Sequence, residues 1–126
     1  MAEPTIETRL LKRFIVMTTD KSMIHELNRL IHEPWKMHIE TDLDNIGDWN
    51  DVLLYRFLLL DLDEIEVFDP LDIIRLIRMQ FQINLPVFCF NGDEAMQQEM
   101  RLSRADRFFS RQQMLDMLPK FFAQYT

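Results

Sequence analysis

Glycine is scarce in this chain, with two in 126 residues, and no stretch is low in complexity, so no flexible linker is expected inside the folded unit. Cysteine is limited to Cys89, which excludes an internal disulfide and suits a reducing compartment. No apolar run approaches the ~20 residues that a membrane helix needs. The opening Met1-Ala2-Glu3-Pro4-Thr5 lacks the basic-then-apolar pattern of a signal peptide, so a cytoplasmic location is expected. Basic charge is also short. The net charge of −7 argues against nucleic-acid binding, because phosphate backbones reward basic surfaces. A glycine-rich phosphate loop is missing, which speaks against a nucleotide enzyme. His25, His32 and His38 do not form the HExxH spacing of a zinc site, and no metal set is expected from them. Cys89 has no basic helper nearby in sequence and reads as a buried, inert thiol.

What is present is an ordinary globular balance, 48% hydrophobic and 28% charged, in a length that suits one domain. The charge is unevenly spread. Residues 101–126 hold Arg101, Arg104, Arg107, Arg111 and Lys120 against Asp106 and Asp116, a net of +3, which leaves −10 on the first hundred residues. Two differently charged faces are therefore expected.

Short apolar runs alternate with helix-period segments, the mark of a parallel sheet covered on both sides. The strands are expected at Phe14–Met17, around Trp35–Ile39, and at Phe57–Leu60, Val87–Phe90 and Arg107–Ser110. The second, with alternating Trp35, Met37 and Ile39, reads as half-exposed and peripheral. The expected helices carry Met23, Leu27, Leu30 and Ile31; a weaker set from Ile46 to Leu54, interrupted by Gly47; Leu71, Ile74 and Ile77 with Ile73 flanking, opened by Asp69-Pro70; Ala95, Met96 and Met100; and Met114, Met117, Leu118, Phe121 and Phe122, with a kink at Pro119. This predicts an α/β fold: a doubly wound (βα)5 three-layer sandwich, flavodoxin-like, around a five-stranded parallel sheet in the order 2-1-3-4-5. Residues 1–12 are expected to be a charged leader and 13–126 the single domain. A ligand site in such a sheet lies at the carboxyl ends of its strands, here Thr18, Thr19 and Asp20; Asp61, Leu62 and Asp63; Asn91 and Gly92; and Ser110 and Arg111.

Over residues 13–125 the chain resembles the receiver domains of two-component response regulators. The matches are Phe14-Ile15-Val16-Met17 with Ser22-Met23, Tyr55 to Asp61, Leu85 to Gly92, and Ala105 to Arg111. The resemblance implies that Asp61 stands at the phosphoacceptor position and Phe108 at the switch aromatic. It also implies that the acidic pair which holds Mg²⁺ is replaced by the neutral Thr18 and Thr19, with Asp20 one residue further on, where it caps a helix. The family's coupling hydroxyl becomes Asn91, and its Lys-Pro becomes Arg111-Gln112, so the cis peptide that follows the lysine is not expected.

Asp61 then reads either as a phosphoacceptor or as an ion-pair partner of Arg111. Asp63 and Glu64 form a further acidic pair that could draw in a cation. The expectation is a degenerate receiver, not an enzyme, in phosphorelay-type signalling of the bacterial kind. It acts by protein–protein contact, without a cofactor beyond a weak association of Mg²⁺, and a pre-set Asp61–Arg111 pair substitutes for the phosphate-triggered change. One alternative is a phosphorylatable receiver that uses Asp20 or Asp63 as substitute metal ligands; another is a small flavodoxin-like ligand-binding protein or enzyme. The expected partner is a signalling protein or output domain, neither nucleic acid nor membrane. The face for it carries Met96, Met100, Arg101, Arg104 and Arg107 on the fourth helix and fifth strand, and this face with the fifth helix also serves for homodimerisation. Arg101 and Arg104, three apart, are expected on one helical face.

Overall fold

The structure is a computed structural model, and it describes residues 11–125. Most of the charged leader expected over 1–12 lies outside the described residues. The elements are β1 (Arg13–Met17), α1 (Lys21–Leu30), β2 (Lys36–Ile39), a 3-10 turn (Leu43–Asn45) with α2 (Trp49–Val52), β3 (Leu58–Asp61), α3 (Pro70–Arg75, continuing through one π turn, Leu76–Gln80), β4 (Val87–Phe90), α4 (Glu94–Leu102), β5 (Arg107–Phe109) and α5 (Arg111–Gln124). The strands pair in the order β2-β1-β3-β4-β5, every pair parallel. The doubly wound sandwich expected from the alternation is therefore the observed fold.

Strand side chains alternate between two layers. Ile15, Met17, Leu58, Leu60, Val87 and Cys89 face an aliphatic layer with Val52 of α2, Ile73, Ile74 and Ile77 of the third helical segment, and Met100 of α4. Phe14, Val16, Leu59, Phe88 and Phe90 face the other way, onto α1 and α5. That second layer is rich in rings: Phe88 stacks on Phe121 at 4.2 Å between centroids, and Trp35 on Phe122 at 4.7 Å. With both faces of β1, β3 and β4 covered, these strands have no room for polar residues until their ends, and that is where the first ones appear.

Local chemistry sets the boundaries. Asp69 accepts from the Leu71 N–H at 2.9 Å and Pro70 opens α3, as the sequence predicts. Ser110 leaves β5 to cap α5 in a reciprocal box with Gln113, so the strand stops at Phe109. The helix expected from Ile46 to Leu54 is instead a 3-10 turn followed by the four-residue α2. Gly47 sits at φ +139° between them, where a Cβ would run into the Asp51 carboxylate, and Asp48 starts the helix afresh with a capping box to Asp51. Helix α5 runs on through Pro119, burying Leu115 where the pattern pointed to Met117, which is half-buried.

Candidate functional site

The carboxyl ends of β1, β3 and β4 bring the polar residues together. Thr18 and Asp61 are the two buried polar residues among those described, at 1% and 2% exposure. The Thr18 hydroxyl donates to Asp61 Oδ2 at 2.7 Å and accepts from the Asp20 N–H at 3.1 Å. Asp61 Oδ1 accepts from the Asp63 N–H at 3.0 Å and from Asn91 Nδ2 at 3.1 Å. Both carboxylate oxygens are therefore occupied, and every donor is neutral. Burial pushes the Asp61 carboxyl above its ordinary range. The bonds from Thr18, Asp63 and Asn91 oppose the rise, and the nearby Glu64 charge adds to it.

The neighbouring acids are engaged as well. Thr19 Oγ1 lies 2.9 and 2.8 Å from the two oxygens of Glu64, and the Thr19 N–H donates to Glu64 at 3.1 Å. Asp20 accepts from the Ser22 and Met23 N–H groups as the cap of α1, the role its position predicts. Asp63 accepts from the Gly92 N–H at 2.9 Å. Asn91 and Gly92 adopt φ of +62° and +79°, which turn the chain out of β4; a Cβ on Gly92 would lie 2.7 Å from that of Leu62. Gln97, which sequence reading did not single out, steadies this turn by donating to the Asn91 carbonyl at 3.2 Å. An amide six residues past an Asn-Gly turn carries no sequence signal of its own.

Arg111 does not pair with Asp61. Its Nη2 donates to Ser22 Oγ at 2.9 Å, and no ion pair to Asp61 occurs among the described residues. As the first residue of α5, Arg111 lies beside the first turn of α1, and its long side chain reaches across to that helix. The pre-set pair expected from the sequence is thus replaced by a bond between helices, with Ser22 in the place expected of Asp61.

Mg²⁺ demands several oxygens in near-octahedral array. Here two threonines occupy the positions where the resemblance places acids, and they donate hydrogen bonds to the carboxylates that would face the ion. Among the described residues no group of three or more His, Cys, Asp or Glu side chains is placed to hold a metal. The donor set does not fit a resident divalent ion.

The expected partner face needs two corrections. Met100 is wholly buried in the aliphatic core, because its helical position points at β4 and α3. Arg104 is not on the helical face with Arg101. Helix α4 ends at Leu102, and Arg104 adopts φ +72° in a Schellman ending in which the Ala105 N–H donates to the Met100 carbonyl. Its guanidinium turns to the Arg78 carbonyl at 3.2 Å. Arg101 lies over the Phe108 ring at 4.7 Å and Arg107 over the Phe109 ring at 4.9 Å. Phe108 is half-buried against the aliphatic core, and Met96 is half-buried in the same layer.

No protein-family model matches the sequence, and no curated protein matches it significantly. Solved structures do resemble it. The signal receiver domain of a response regulator from Bermanella marisrubri superposes with a TM-score of 0.67 at 23% identity, over 86% of this chain and 96% of that one. The receiver domain of a DNA-binding response regulator from Colwellia psychrerythraea 34H gives 0.67 at 17% identity, over 90% and 96%. The chemotaxis protein CheY4 of Vibrio cholerae gives 0.61 at 14% identity, over 92% and 99%. At such identities the likeness is one of fold. The chain has the receiver-domain fold of response regulators. Asp61 closes β3 in it; the phosphoacceptor position is what the sequence resemblance implies for this residue.

Proposed function

We propose that this domain is a degenerate receiver, which takes part in signal transduction through protein–protein contact and without Mg²⁺-dependent phosphorylation of Asp61. The observation that carries this reading is the state of Asp61: 2% exposed, with both oxygens accepting hydrogen bonds from neutral groups. Phosphoryl transfer to a carboxylate needs a free oxygen lone pair in line with the donor and a cation to neutralise the charge gathering on the phosphoryl oxygens. Here three hydrogen bonds fill most of the carboxylate's acceptor sites inside the fold, and Arg111, bonded to Ser22, does not supply the cation. Asp20 and Asp63, the substitute ligands of the alternative reading, are already the cap of α1 and the acceptor for Gly92.

The partner face in this reading comprises Met96, Arg101, Arg107 and Phe108, with Leu102, 79% exposed, at its edge. It takes a signalling or output domain, or a second copy of the chain. No helix among the described residues is long and apolar enough to cross a membrane, and a cytoplasmic site of action agrees with that. The test is incubation with acetyl phosphate and Mg²⁺ followed by intact-mass measurement. The unmodified mass is expected; a phosphoryl adduct that disappears in Asp61→Asn overturns the proposal.

A further inference from the structure

Asparagine is followed by glycine once in this chain, at Asn91-Gly92. Asn28, Asn45, Asn50 and Asn84 are followed by Arg29, Ile46, Asp51 and Leu85, whose side chains crowd the next backbone nitrogen. Glycine has no such shield. Asparagine is a thermolabile residue, and this step is the most reactive one in the sequence for loss of the side-chain amide. In that reaction the Gly92 nitrogen gives up its proton and bonds to Asn91 Cγ. The Cγ–Nδ2 bond breaks and ammonia leaves. Water then opens the five-membered imide on either side, to aspartate or to isoaspartate, and is the one co-reactant.

The fold ties each reacting group to a different carboxylate. The Gly92 N–H donates to Asp63 Oδ1 at 2.9 Å, and Asn91 Nδ2 donates to Asp61 Oδ1 at 3.1 Å. The backbone of the turn is held as well. The Asn91 N–H donates to the Phe109 carbonyl at 3.2 Å, and Gln97 Nε2 reaches the Asn91 and Gly92 carbonyls at 3.2 and 3.4 Å. Ring closure needs a deprotonated Gly92 nitrogen and an Asn91 side chain free to turn onto it. Asp63 opposes the first requirement. Its negative charge disfavours a second one on the nitrogen beside it, and a carboxylate is far too weak a base to take an amide proton. Asp61 opposes the second by holding the side-chain amide.

We infer that Asn91 is a site of spontaneous deamidation in this domain, and that the hydrogen bond from Gly92 to Asp63 sets its rate by restraining the attacking nitrogen. The change is irreversible and falls at the strand ends. Aspartate at this position exchanges a neutral donor to Asp61 for a carboxylate within hydrogen-bond range, like charge against like charge. Isoaspartate adds a methylene to the backbone and displaces the turn into α4. Either product alters the surroundings of Asp61, yet the inference does not depend on the signalling role proposed above.

The test ages wild type, Asp63→Ala, Asp63→Asn and Arg78→Met together in warm, mildly alkaline buffer, with wild type in denaturing urea as the unrestrained reference. Peptide mapping by mass spectrometry follows the amide-to-acid conversion at each asparagine. Folded wild type is expected to convert at residue 91 several-fold more slowly than the urea sample. Asp63→Ala is expected to recover most of that difference. Asp63→Asn, which keeps an acceptor for Gly92 but drops the charge, is expected to fall between the two. Arg78→Met breaks a buried ion pair at the other end of the sheet and leaves the turn alone, so it is expected to stay near the wild-type rate. Four results overturn the proposal: equal rates in folded and urea-treated wild type, no acceleration in either Asp63 variant, Arg78→Met converting as fast as Asp63→Ala, or the main conversion at another asparagine.

Discussion

The two ends of the sheet each bury a charge, and they treat it in opposite ways. At the amino ends of β4 and β5, Arg78 has a side chain only 7% exposed and a full set of acceptors. It donates to the Arg104, Ile83 and Leu85 carbonyls and meets the Asp106 carboxylate at 2.8 Å. Asp106 in turn accepts from the Val87 N–H at 2.7 Å, so the ion pair also pins the start of β4. At the carboxyl ends, Asp61 is buried just as deeply but meets only neutral donors, with Glu64 adding a like charge nearby. A buried charge with an opposite partner locks structure, whereas a buried charge without one remains a cost that the fold tolerates. Costs of this kind cluster at functional sites, where a perturbed group serves the chemistry.

The comparison can be broken most forcefully at Arg78. Arg78→Met is expected to destabilise the domain by about 2–4 kcal/mol in denaturant melts, since it orphans three carbonyls and the Asp106 charge. A loss no larger than that of a surface substitution would mean that the ion pair is ornamental. Thr18→Val should cost about 1–2 kcal/mol, because it strips a donor from a buried carboxylate; it should also raise the Asp61 pKa further, as the Thr18 bond is one of those holding it down.

Asp61→Asn sharpens the contrast, because here the effect has the opposite sign. Burial raises the folded-state pKa of Asp61, so the folded protein holds this proton more tightly than the unfolded chain does. That contribution to stability is fully present below the ordinary carboxylate range and is lost as pH rises through the raised folded value. The neutral amide can accept from Asp63 and Asn91 and donate to Thr18. At neutral pH it is therefore expected to gain about 1 kcal/mol over wild type, a gain that fades on acidification in pH-dependent melts. A loss at neutral pH would reveal a cation beside Asp61. The smallest effect belongs to Arg111→Gln, which removes only the bond to Ser22 and should stay within about 0.5 kcal/mol. A larger loss would restore the Asp61–Arg111 pair as a structural element.

Much of this was legible in the sequence, for identifiable reasons. Runs such as Phe57–Leu60 and Val87–Phe90 are apolar on both faces, which specifies buried parallel strands, and their ends mark where polar groups gather. The Asp69-Pro70 start of α3 and the Asp20 cap of α1 are local chemistry that needs no tertiary knowledge. Other features depend on contacts far apart in the chain. Arg111 bonds Ser22, 89 residues away, and nothing local states whether an arginine at a strand end turns inward or across to a helix. Met100 and Arg101 are adjacent, and only the packing of α4 on β4 decides which is core and which is surface. Arg104 departs from the helical face that its spacing from Arg101 predicts, because it holds the left-handed turn of a Schellman ending, where glycine is usual and arginine uncommon.

The state of Asp61 is most directly read from its side-chain carboxyl carbon, followed by NMR through a pH titration with and without Mg²⁺. The structure predicts a midpoint above the ordinary aspartate range that does not move when Mg²⁺ is added. A midpoint at or below that range, or one displaced downward by the ion, would contradict a carboxylate enclosed by neutral donors.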